Sequence, residues 1–305
     1  MDANDAKTAV EIEVETGVEI EVKTVRNLRI RIEDAVRSCI LGQRRTAHAG
    51  RTGHAGVAFS GGIDSSLIAA IAQSVDPDIE LYTVGISDSH DVRSARRAAA
   101  LLGLSDRLRV CECTEEAIES AIPEVLHATQ SANPVVAGVG VCMYLVAQCA
   151  HKHGTGLLLT GQGADELFSG YKRYESAFDR GIDDLKRVLE KDLLALPDQI
   201  KRDTAVAKLF DVTLCTPIFS PGVVAAACRI DAGLKMRREG GEGSERSEYT
   251  RKYILRKVSE QYLPPELVWA PKKAAQYGTG VQGVLRRLAR RSRVGQAEML
   301  RRWVD

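Results

Sequence analysis

The stretch "VAFSGGIDSSLIAAIA", residues 57–72, decides the fold of this chain of 305 residues. A short apolar run ends in a serine and two glycines, residues 60–62, and a helical pattern begins at Leu67. A turn from strand to helix exposes backbone N–H groups and the positive end of the helix dipole, and both attract phosphate. The glycines let the backbone approach an anion, and the serine hydroxyls add donors. The stretch therefore predicts a phosphate-binding turn.

Asp64 indicates what kind of phosphate this turn holds. A carboxylate beside a phosphate repels it unless Mg²⁺ lies between them. The turn lacks the lysine that follows the last glycine of a P-loop, and it lacks the G-x-G-x-x-G pattern of dinucleotide folds. We interpret it as a holder of a magnesium polyphosphate. The alternative is a chance turn in which Asp64 only caps a helix.

Apolar and helical patterns alternate from residue 57 to about residue 180. Strands are predicted at 57–59, 79–86, 108–111 and 156–160, and helices at 65–73, 92–102, 115–129 and 135–151. This order predicts an α/β fold with a doubly wound parallel sheet. Ligands of such sheets bind at the carboxyl ends of the strands, where the turns "SGGIDSS" and "TGQGADELFSGY" lie.

The flanking regions have other patterns. The repeat "EIEV" at residues 11 and 19 predicts a small N-terminal β-hairpin, followed by an amphipathic helix over 26–42. The polar, glycine-rich stretch 237–249 predicts a mobile loop, and 262–280 an ordered one. We expect three parts, an N-terminal hairpin and helix (1–50), a nucleotide-binding α/β core (51–180) and a mostly helical C-terminal part that completes the site (181–305).

Composition narrows the class of protein. The chain is 44% hydrophobic and 27% charged with a net charge of +1, which is typical of a soluble globular protein without overall attraction to nucleic acid or membranes. Its polar start predicts no signal peptide, and the glycine-broken apolar segment 135–150 predicts a buried helix. Seven scattered cysteines predict reduced thiols in a cytoplasmic protein, and Cys111 and Cys113 favour strand residues over a zinc or redox pair. Seven arginines within 286–302 favour a solvated helix face over an RNA contact.

Five stretches of the sequence resemble motifs of known enzyme families. "SGGIDSS" resembles the pyrophosphate-binding loop of the ATP pyrophosphatase (PP-loop) superfamily. "LLLTGQGADELFSGYKRY", 157–174, resembles the signature of asparagine synthetases. "YTVGIS", 82–87, resembles the strand whose backbone meets adenine, and "RKYILRK" at 251 and "LPPELVWAPKKAAQYGTG" at 263 resemble the late lysine-bearing segments. The resemblance covers about residues 57–280 and is to the synthetase domain alone.

The resemblance implies a role for each matching position. Asp64 and Asp165 would hold Mg²⁺, Lys252 would contact phosphate, and Lys272, with Lys273 beside it, would steady the reacting centre. Gln162 stands at the position of the glutamate in the signature. The positions implied for ATP and pyrophosphate are Ala58, Ser60, Gly61, Gly62, Asp64, Ser65, Ser66, Val84, Gly85, Thr160 and Gly161.

The resemblance also implies an activity. A substrate carboxylate, with aspartate as the default, would attack the α-phosphorus of ATP to give an acyl-adenylate and pyrophosphate. Ammonia or another amine would then form an amide and release AMP. A fixed lysine and Mg²⁺ would stabilise the charge that develops, and one such contact is typically worth ~3–4 kcal/mol. The implied cofactors are ATP and Mg²⁺, and the implied assembly is a homodimer in the cytoplasm, without membrane or nucleic acid.

Three departures affect the acceptor side. About fifty residues precede the loop, so we expect no glutaminase domain and a nitrogen supply from free ammonia, another amine or a separate glutaminase partner. Gln162 can donate and accept hydrogen bonds but cannot act as a base. "CTPIFS", 215–220, lacks the arginine and aspartate of the family's "RVPFLD", and 133–141 is nearly apolar, which weakens the case for a doubly anionic substrate.

Two further functions stay open. A tRNA-modifying relative that adenylates a base is favoured by the arginine-rich tail and opposed by the signature around Gln162. A nucleotide-binding subunit without catalysis is favoured by Gln162 and by 215–220, and opposed by Lys272 and the two magnesium acids.

Overall fold

A five-stranded parallel sheet forms the centre of the protein, in the strand order β3-β2-β1-β4-β5. The structure is a computed structural model that describes residues 17–46, 54–239, 248–270 and 279–303. A separate antiparallel pair joins β6 and β7. The strands are β1 (His54–Ala58), β2 (Glu80–Gly85), β3 (Leu108–Glu112), β4 (Thr155–Leu159), β5 (Thr213–Cys215), β6 (Met236–Glu239) and β7 (Glu248–Arg251).

Helices surround the sheet and account for most of the described residues. The α-helices are α1 (Gly17–Thr46), α2 (Ile63–Val75), α3 (His90–Leu101), α4 (Glu115–Thr129), α5 (Pro134–Lys152), α6 (Ala164–Leu167), α7 (Arg173–Arg180), α8 (Ile182–Lys208), α9 (Pro221–Arg229), α10 (Ala232–Lys235), α11 (Tyr253–Ser259), α12 (Pro265–Val268), α13 (Val281–Arg291) and α14 (Gln296–Arg301). Two 3₁₀ turns lie at Ser105–Arg107 and Pro217–Phe219.

The strand order reverses at β1, which pairs with β2 on one side and with β4 on the other. The chain first runs from β1 through α2 to β2, and it later returns to the opposite side of β1 through β4. In doubly wound sheets the crevice for ligands forms at such a reversal, outside the carboxyl ends of the strands. The predicted α/β fold, its four strands and the helices between them are confirmed. The short strand β5 was missed.

The sheet is covered on both faces, which explains why its strands read as continuous apolar runs. Val57, Leu81, Tyr82 and Leu158 are fully buried. One face packs with α1, α2, α9 and α11, and the other packs with α4, α5, α8 and α13. Residues from all three predicted parts of the chain therefore pack on the same sheet.

The predicted N-terminal β-hairpin is wrong for residues 17–25, which belong to α1. The first "EIEV" repeat, at 11–14, lies outside the described residues. In α1 the fully buried positions Leu28, Ile32 and Val36 recur every four residues and pack in the main core. Helix propagation from this anchored part extends through the second repeat, whose Val22 stays largely exposed. The helical period of the longer segment therefore overrides the local period of two.

Two further expectations need correction. Part of the predicted loop 237–249 is the β6–β7 ladder, while 240–247 lie outside the described residues. Four of the seven cysteines form two disulfides in this structure, Cys39–Cys215 and Cys111–Cys149, with 6.3 Å between the Cα atoms of each pair. The prediction of seven reduced thiols is therefore wrong, although Cys111 does lie in β3.

The apolar segment 135–150 is helical, as predicted, within α5. By length and composition alone, α5 could cross a membrane. In this fold it packs against α4, α8, β2 and β4, so we interpret it as a core helix. In the arginine-rich tail, Arg287 and Arg291 pair with Glu115 at the start of α4, which agrees with a solvated helix face.

Candidate active site

The phosphate-binding turn between β1 and α2 is held by its own hydroxyl groups. The Oγ atoms of Ser60 and Ser65 lie 3.3 Å apart, and the backbone N–H of Ser60 donates to Oγ of Ser65. Oγ of Ser65 also donates to the carbonyl of Gly62 at 3.2 Å. Gly62 makes no side-chain cap for α2, so the first turn of this helix has backbone N–H groups to offer a ligand.

Two glycines allow the neighbouring elements to approach this turn. Gly61 has a positive φ of 73°, and a Cβ built on it would lie 2.5 Å from the backbone of Ser94 in α3. Gly161 follows β4, and its Cβ would lie 2.7 Å from Cβ of Asp64. Larger residues at either position would push the elements apart. The turn after β4 therefore contacts the turn after β1 directly, as their order in the sheet requires.

Asp64, Asp165 and Lys252 meet beside the turn. Nζ of Lys252 lies 2.6 and 2.5 Å from the two carboxylate oxygens of Asp64 and 2.8 Å from Oδ1 of Asp165. These residues come from the start of α2, from α6 and from the residue before α11, so three distant segments converge here. Lys252 is fully buried. The buried charge of Lys252 is therefore compensated by carboxylates on two other segments.

Lys252 is held in this position by unusual backbone geometry. Its φ of 59° lies in the left-handed region, which costs energy for a non-glycine residue unless the surroundings enforce it. Its carbonyl accepts the hydrogen bond of Arg256 N–H at 2.9 Å. Burial lowers the pKa of the ammonium, and the charge of Asp64 and its hydrogen bond act in the opposite direction.

Gly170 makes room for this charged group. A Cβ built on Gly170 would lie 1.8 Å from Oδ1 of Asp165 and 2.3 Å from Cε of Lys252. The backbone N–H of Gly170 donates to the carbonyl of Asp165 at 2.9 Å, and its own carbonyl accepts from Arg251 at 3.1 Å. Sequence reasoning quoted this glycine within the signature but assigned it no role. Only the closeness of two side chains from other segments reveals it.

The donor set fits Mg²⁺ together with a polyphosphate. Proteins commonly bind Mg²⁺ through one or two carboxylates and let substrate phosphates complete the shell. The two carboxylates offer enough lone pairs to serve both Lys252 and a metal ion. Ser66 Oγ is buried and has no hydrogen-bond partner among the described residues, so its hydroxyl group is available to donate to a ligand near the turn. No cluster of three or more metal-ligating side chains occurs in the described part of the chain.

The other side of the crevice contains Gln162 and a residue that sequence reasoning missed. Nε2 of Gln162 donates to Oδ2 of Asp203 in α8, and Oε1 of Gln162 accepts from Oγ1 of Thr160 at 3.3 Å. Asp203 is only 6% exposed. Burial raises the pKa of Asp203 to about 6, while the hydrogen bond from Gln162 and the charge of Arg202 lower it. No motif pointed to Asp203, because it lies within a long amphipathic helix.

The remaining predicted positions divide into three groups. Ala58, Val84, Gly85 and Thr160 lie at the carboxyl ends of β1, β2 and β4, around the crevice. The segment 215–220 joins the sheet through β5, and Thr160 N–H donates to the carbonyl of Cys215. Lys272 and Lys273 lie outside the described residues, so their roles stay predictions.

A phosphate-binding turn facing two carboxylates at the reversal of a parallel sheet is the arrangement of the PP-loop nucleotide-binding class. The family model of asparagine synthase matches residues 44–193 and 179–302. The chain therefore belongs to the asparagine synthase family.

Individual relatives agree with this assignment. Over 260 residues, the chain is 34% identical to the putative asparagine synthetase 1 (glutamine-hydrolyzing) of Methanocaldococcus jannaschii, covering 77% of this chain and 48% of that protein. It is 28% identical to the glutamine-hydrolyzing asparagine synthetase of Gallus gallus and 27% to that of Homo sapiens, in both cases over 83% of this chain and 43% of the relative. The chain thus spans less than half the length of these relatives.

The solved structures that match include one subunit with a tRNA-related title. It is titled "predicted subunit of tRNA methyltransferase" from Methanocaldococcus jannaschii, and the match covers 72% of this chain and 93% of that chain at 17% identity and a TM-score of 0.31. At that score we draw nothing from it.

Proposed function

We propose that this protein is an ATP-dependent, AMP-forming ligase that activates a carboxylate as an acyl-adenylate and transfers an amine to it. The observation that carries the proposal is the convergence of Asp64 and Asp165 on Lys252 beside the phosphate-binding turn. A polyphosphate bound in the turn would lie within reach of these groups. The family membership supports the same reaction class, since its relatives are named as asparagine synthetases.

The chain's own residues would divide the work of the first step. Backbone N–H groups of the turn and the start of α2 would bind the departing pyrophosphate, helped by Ser60 and Ser65. The three N–H groups of the Lys252 ammonium lie near two oxygens of Asp64 and one of Asp165, so one of them would turn from Asp64 to a phosphate oxygen when the polyphosphate binds. Mg²⁺ held by Asp64 and Asp165 would neutralise charge on the polyphosphate when bound. Lys272 would stabilise the reacting α-phosphoryl group.

The acceptor side of the proposal is less specific. Aspartate is the default carboxylate because the relatives are asparagine synthetases, and ammonia, another amine or a separate glutaminase partner would supply the nitrogen. We include a cytoplasmic location and a homodimer in the proposal. The segment 133–141 is nearly apolar, and the segment 215–220 contains no arginine. Both features favour a carboxylate substrate with less charge than aspartate.

The test is pyrophosphate release from MgATP, scanned over the amino acids and other small carboxylates, with and without ammonium chloride. We expect release that depends on one carboxylate and that is lost in Lys272→Ala and in Asp165→Asn. Asp78→Asn is the matched control, since Asp78 is exposed, pairs with Arg107 and lies just before β2, at the other end of that strand from the crevice. ATP binding without release for any carboxylate would contradict the proposal and indicate a nucleotide-binding subunit.

A further inference from the structure

Amide formation needs a proton acceptor that the known site residues do not supply. An amine that attacks an acyl-adenylate becomes positively charged and must lose a proton before the amide is complete. Gln162 stands where the family signature has a carboxylate, and an amide cannot accept that proton. In this structure Gln162 is instead hydrogen-bonded to a carboxylate, that of Asp203.

The pair of Gln162 and Asp203 has a fixed orientation. Thr160 donates to Oε1 of Gln162, which turns Nε2 toward Oδ2 of Asp203. The hydrogen bond from Gln162 occupies Oδ2 of Asp203, and the residue as a whole is only 6% exposed. A carboxylate that is buried next to a neutral amide costs stability, so we looked for a role in the reaction.

Asp203 lies on the acceptor side of the crevice. Gly161 packs closely against Asp64, and Gln162 is the next residue in the chain. The Gln162–Asp203 pair therefore adjoins the residues of the phosphate side. Asp203 also acts electrostatically on Cys142 of α5, whose Sγ lies 3.5 Å from Oγ1 of Thr279. The carbonyl of Thr279 in turn accepts from Ile86, just after β2. Through its hydrogen bond with Gln162, which follows β4, Asp203 lies near the carboxyl end of that strand.

We propose that Asp203 is the base of the amide-forming step, held in place by Gln162, so that the carboxylate of the signature has moved from the loop after β4 to α8. This inference rests on the proposed function. In the step, the amine nitrogen forms a bond to the acyl carbon, the bond from that carbon to the AMP oxygen breaks, and AMP keeps the electron pair. The proton from the nitrogen goes to Asp203 and then to water.

The electrostatic surroundings suit a proton acceptor near neutral pH. Burial raises the pKa of Asp203 to about 6, Arg202 on the same helix lowers it, and Gln162 donates to the ionised form. Cys142, on the neighbouring helix α5, also interacts with it, and burial raises the pKa of that thiol to about 12, so it stays neutral. A base with a pKa near the working pH transfers protons efficiently.

The experiment compares the two half-reactions in Asp203→Asn, using the full chain. Asparagine keeps an oxygen that accepts from Gln162, so a purely structural role predicts wild-type behaviour. With MgATP, ammonium chloride and the carboxylate selected in the pyrophosphate scan, we expect single-turnover pyrophosphate release within about twofold of wild type. We expect amide formation to fall by about 10²–10⁴-fold. In the wild type, the rate of amide formation, corrected for the fraction of free ammonia, should rise with pH near pH 6 as Asp203 ionises. Asp203→Asn should lack this rise.

Two further variants keep the test decisive. Asp198→Asn, an exposed acid on the same helix, should leave both half-reactions unchanged. The double variant Gln162→Glu/Asp203→Asn returns the carboxylate to the loop while the new amide donates to it, and we expect it to recover at least tenfold of the lost rate. Its melting temperature and pyrophosphate release report whether it folds.

The outcomes separate this inference from the proposed function. Wild-type amide formation in Asp203→Asn overturns the inference while leaving the ligase intact, and so does a loss that the double variant does not recover. If the wild-type protein releases no pyrophosphate with any carboxylate, the ligase itself is wrong and the inference falls with it.

Discussion

The two sides of the crevice bury charge in different ways. On the phosphate side, Lys252 is fully buried but lies between the carboxylates of Asp64 and Asp165. On the acceptor side, Asp203 is buried with a neutral amide, Gln162, as its hydrogen-bond partner. Removing one partner of a buried, paired charge destabilises a fold, whereas a buried charge without an opposite charge beside it itself costs stability. We therefore expect substitutions on the two sides to change stability in opposite directions.

The largest effect is expected for Lys252→Met, which removes the cation and leaves two carboxylates facing each other. Breaking a buried ion pair by removing one partner costs about 3–5 kcal/mol of the free energy of unfolding. Urea denaturation measures this loss, and pyrophosphate release should vanish as well. Lys257→Met on α11 is the control, because Lys257 is partly exposed and pairs with Glu260. A loss below about 1 kcal/mol would show that the group is not compensated as described.

On the acceptor side, Asp203→Asn should make the protein more stable at pH 7.5. The folded-state pKa of about 6 lies above the ordinary carboxyl value of 3.8, so folding favours the protonated form. The ionised carboxylate then costs up to about 3 kcal/mol above pH 6, and this cost disappears below pH 4, where both states are protonated. The gain in Asp203→Asn should therefore fade as the pH is lowered from 6 to 4.

Melting temperatures of the wild type and of Asp203→Asn across pH 4–7.5 test this linkage. Asp198→Asn on the same helix should follow the wild-type curve at every pH. A variant that is less stable than the wild type at pH 7.5 would mean that Asp203 is well solvated or paired, and it would remove the contrast between the two sides.

The phosphate side was largely predictable from the sequence, and the acceptor side was not. The turn and Asp64 are contiguous in the chain, and Asp165 belongs to a second contiguous motif, so local patterns suffice to find them. Asp203 joins Gln162 across 41 residues, and only the packing of α8 against the loop after β4 brings them together. The prediction of an N-terminal hairpin was wrong for a related reason, since the long-range packing of α1 overrode the local alternation of apolar and acidic residues.

A moderate effect is expected for Gly170→Ala, which probes how tightly the phosphate side is assembled. The added methyl group would meet Oδ1 of Asp165 and Cε of Lys252, and overpacking of this kind typically costs about 1–3 kcal/mol. Asp165 and Lys252 are paired with each other, so the methyl group would force them apart. We therefore expect both the free energy of unfolding and the rate of pyrophosphate release to fall. Gly295→Ala is the control, since nothing lies within 4 Å of the Cβ that would be added there. Equal behaviour of the two variants would contradict the close approach.

The smallest effect concerns the two helices that begin on either side of the crevice. Asn133 caps α5, accepting from the N–H of Val135 at 2.9 Å and of Val136 at 3.4 Å, whereas Gly62 gives α2 no side-chain cap. Asn133→Ala should cost about 1 kcal/mol, as should Thr114→Ala, which removes the equivalent cap of α4. Both variants should bind ATP like the wild type, measured by calorimetry. If Asn133→Ala weakens ATP binding while Thr114→Ala does not, then α5 contributes to the nucleotide site, and phosphate binding is not confined to the uncapped start of α2.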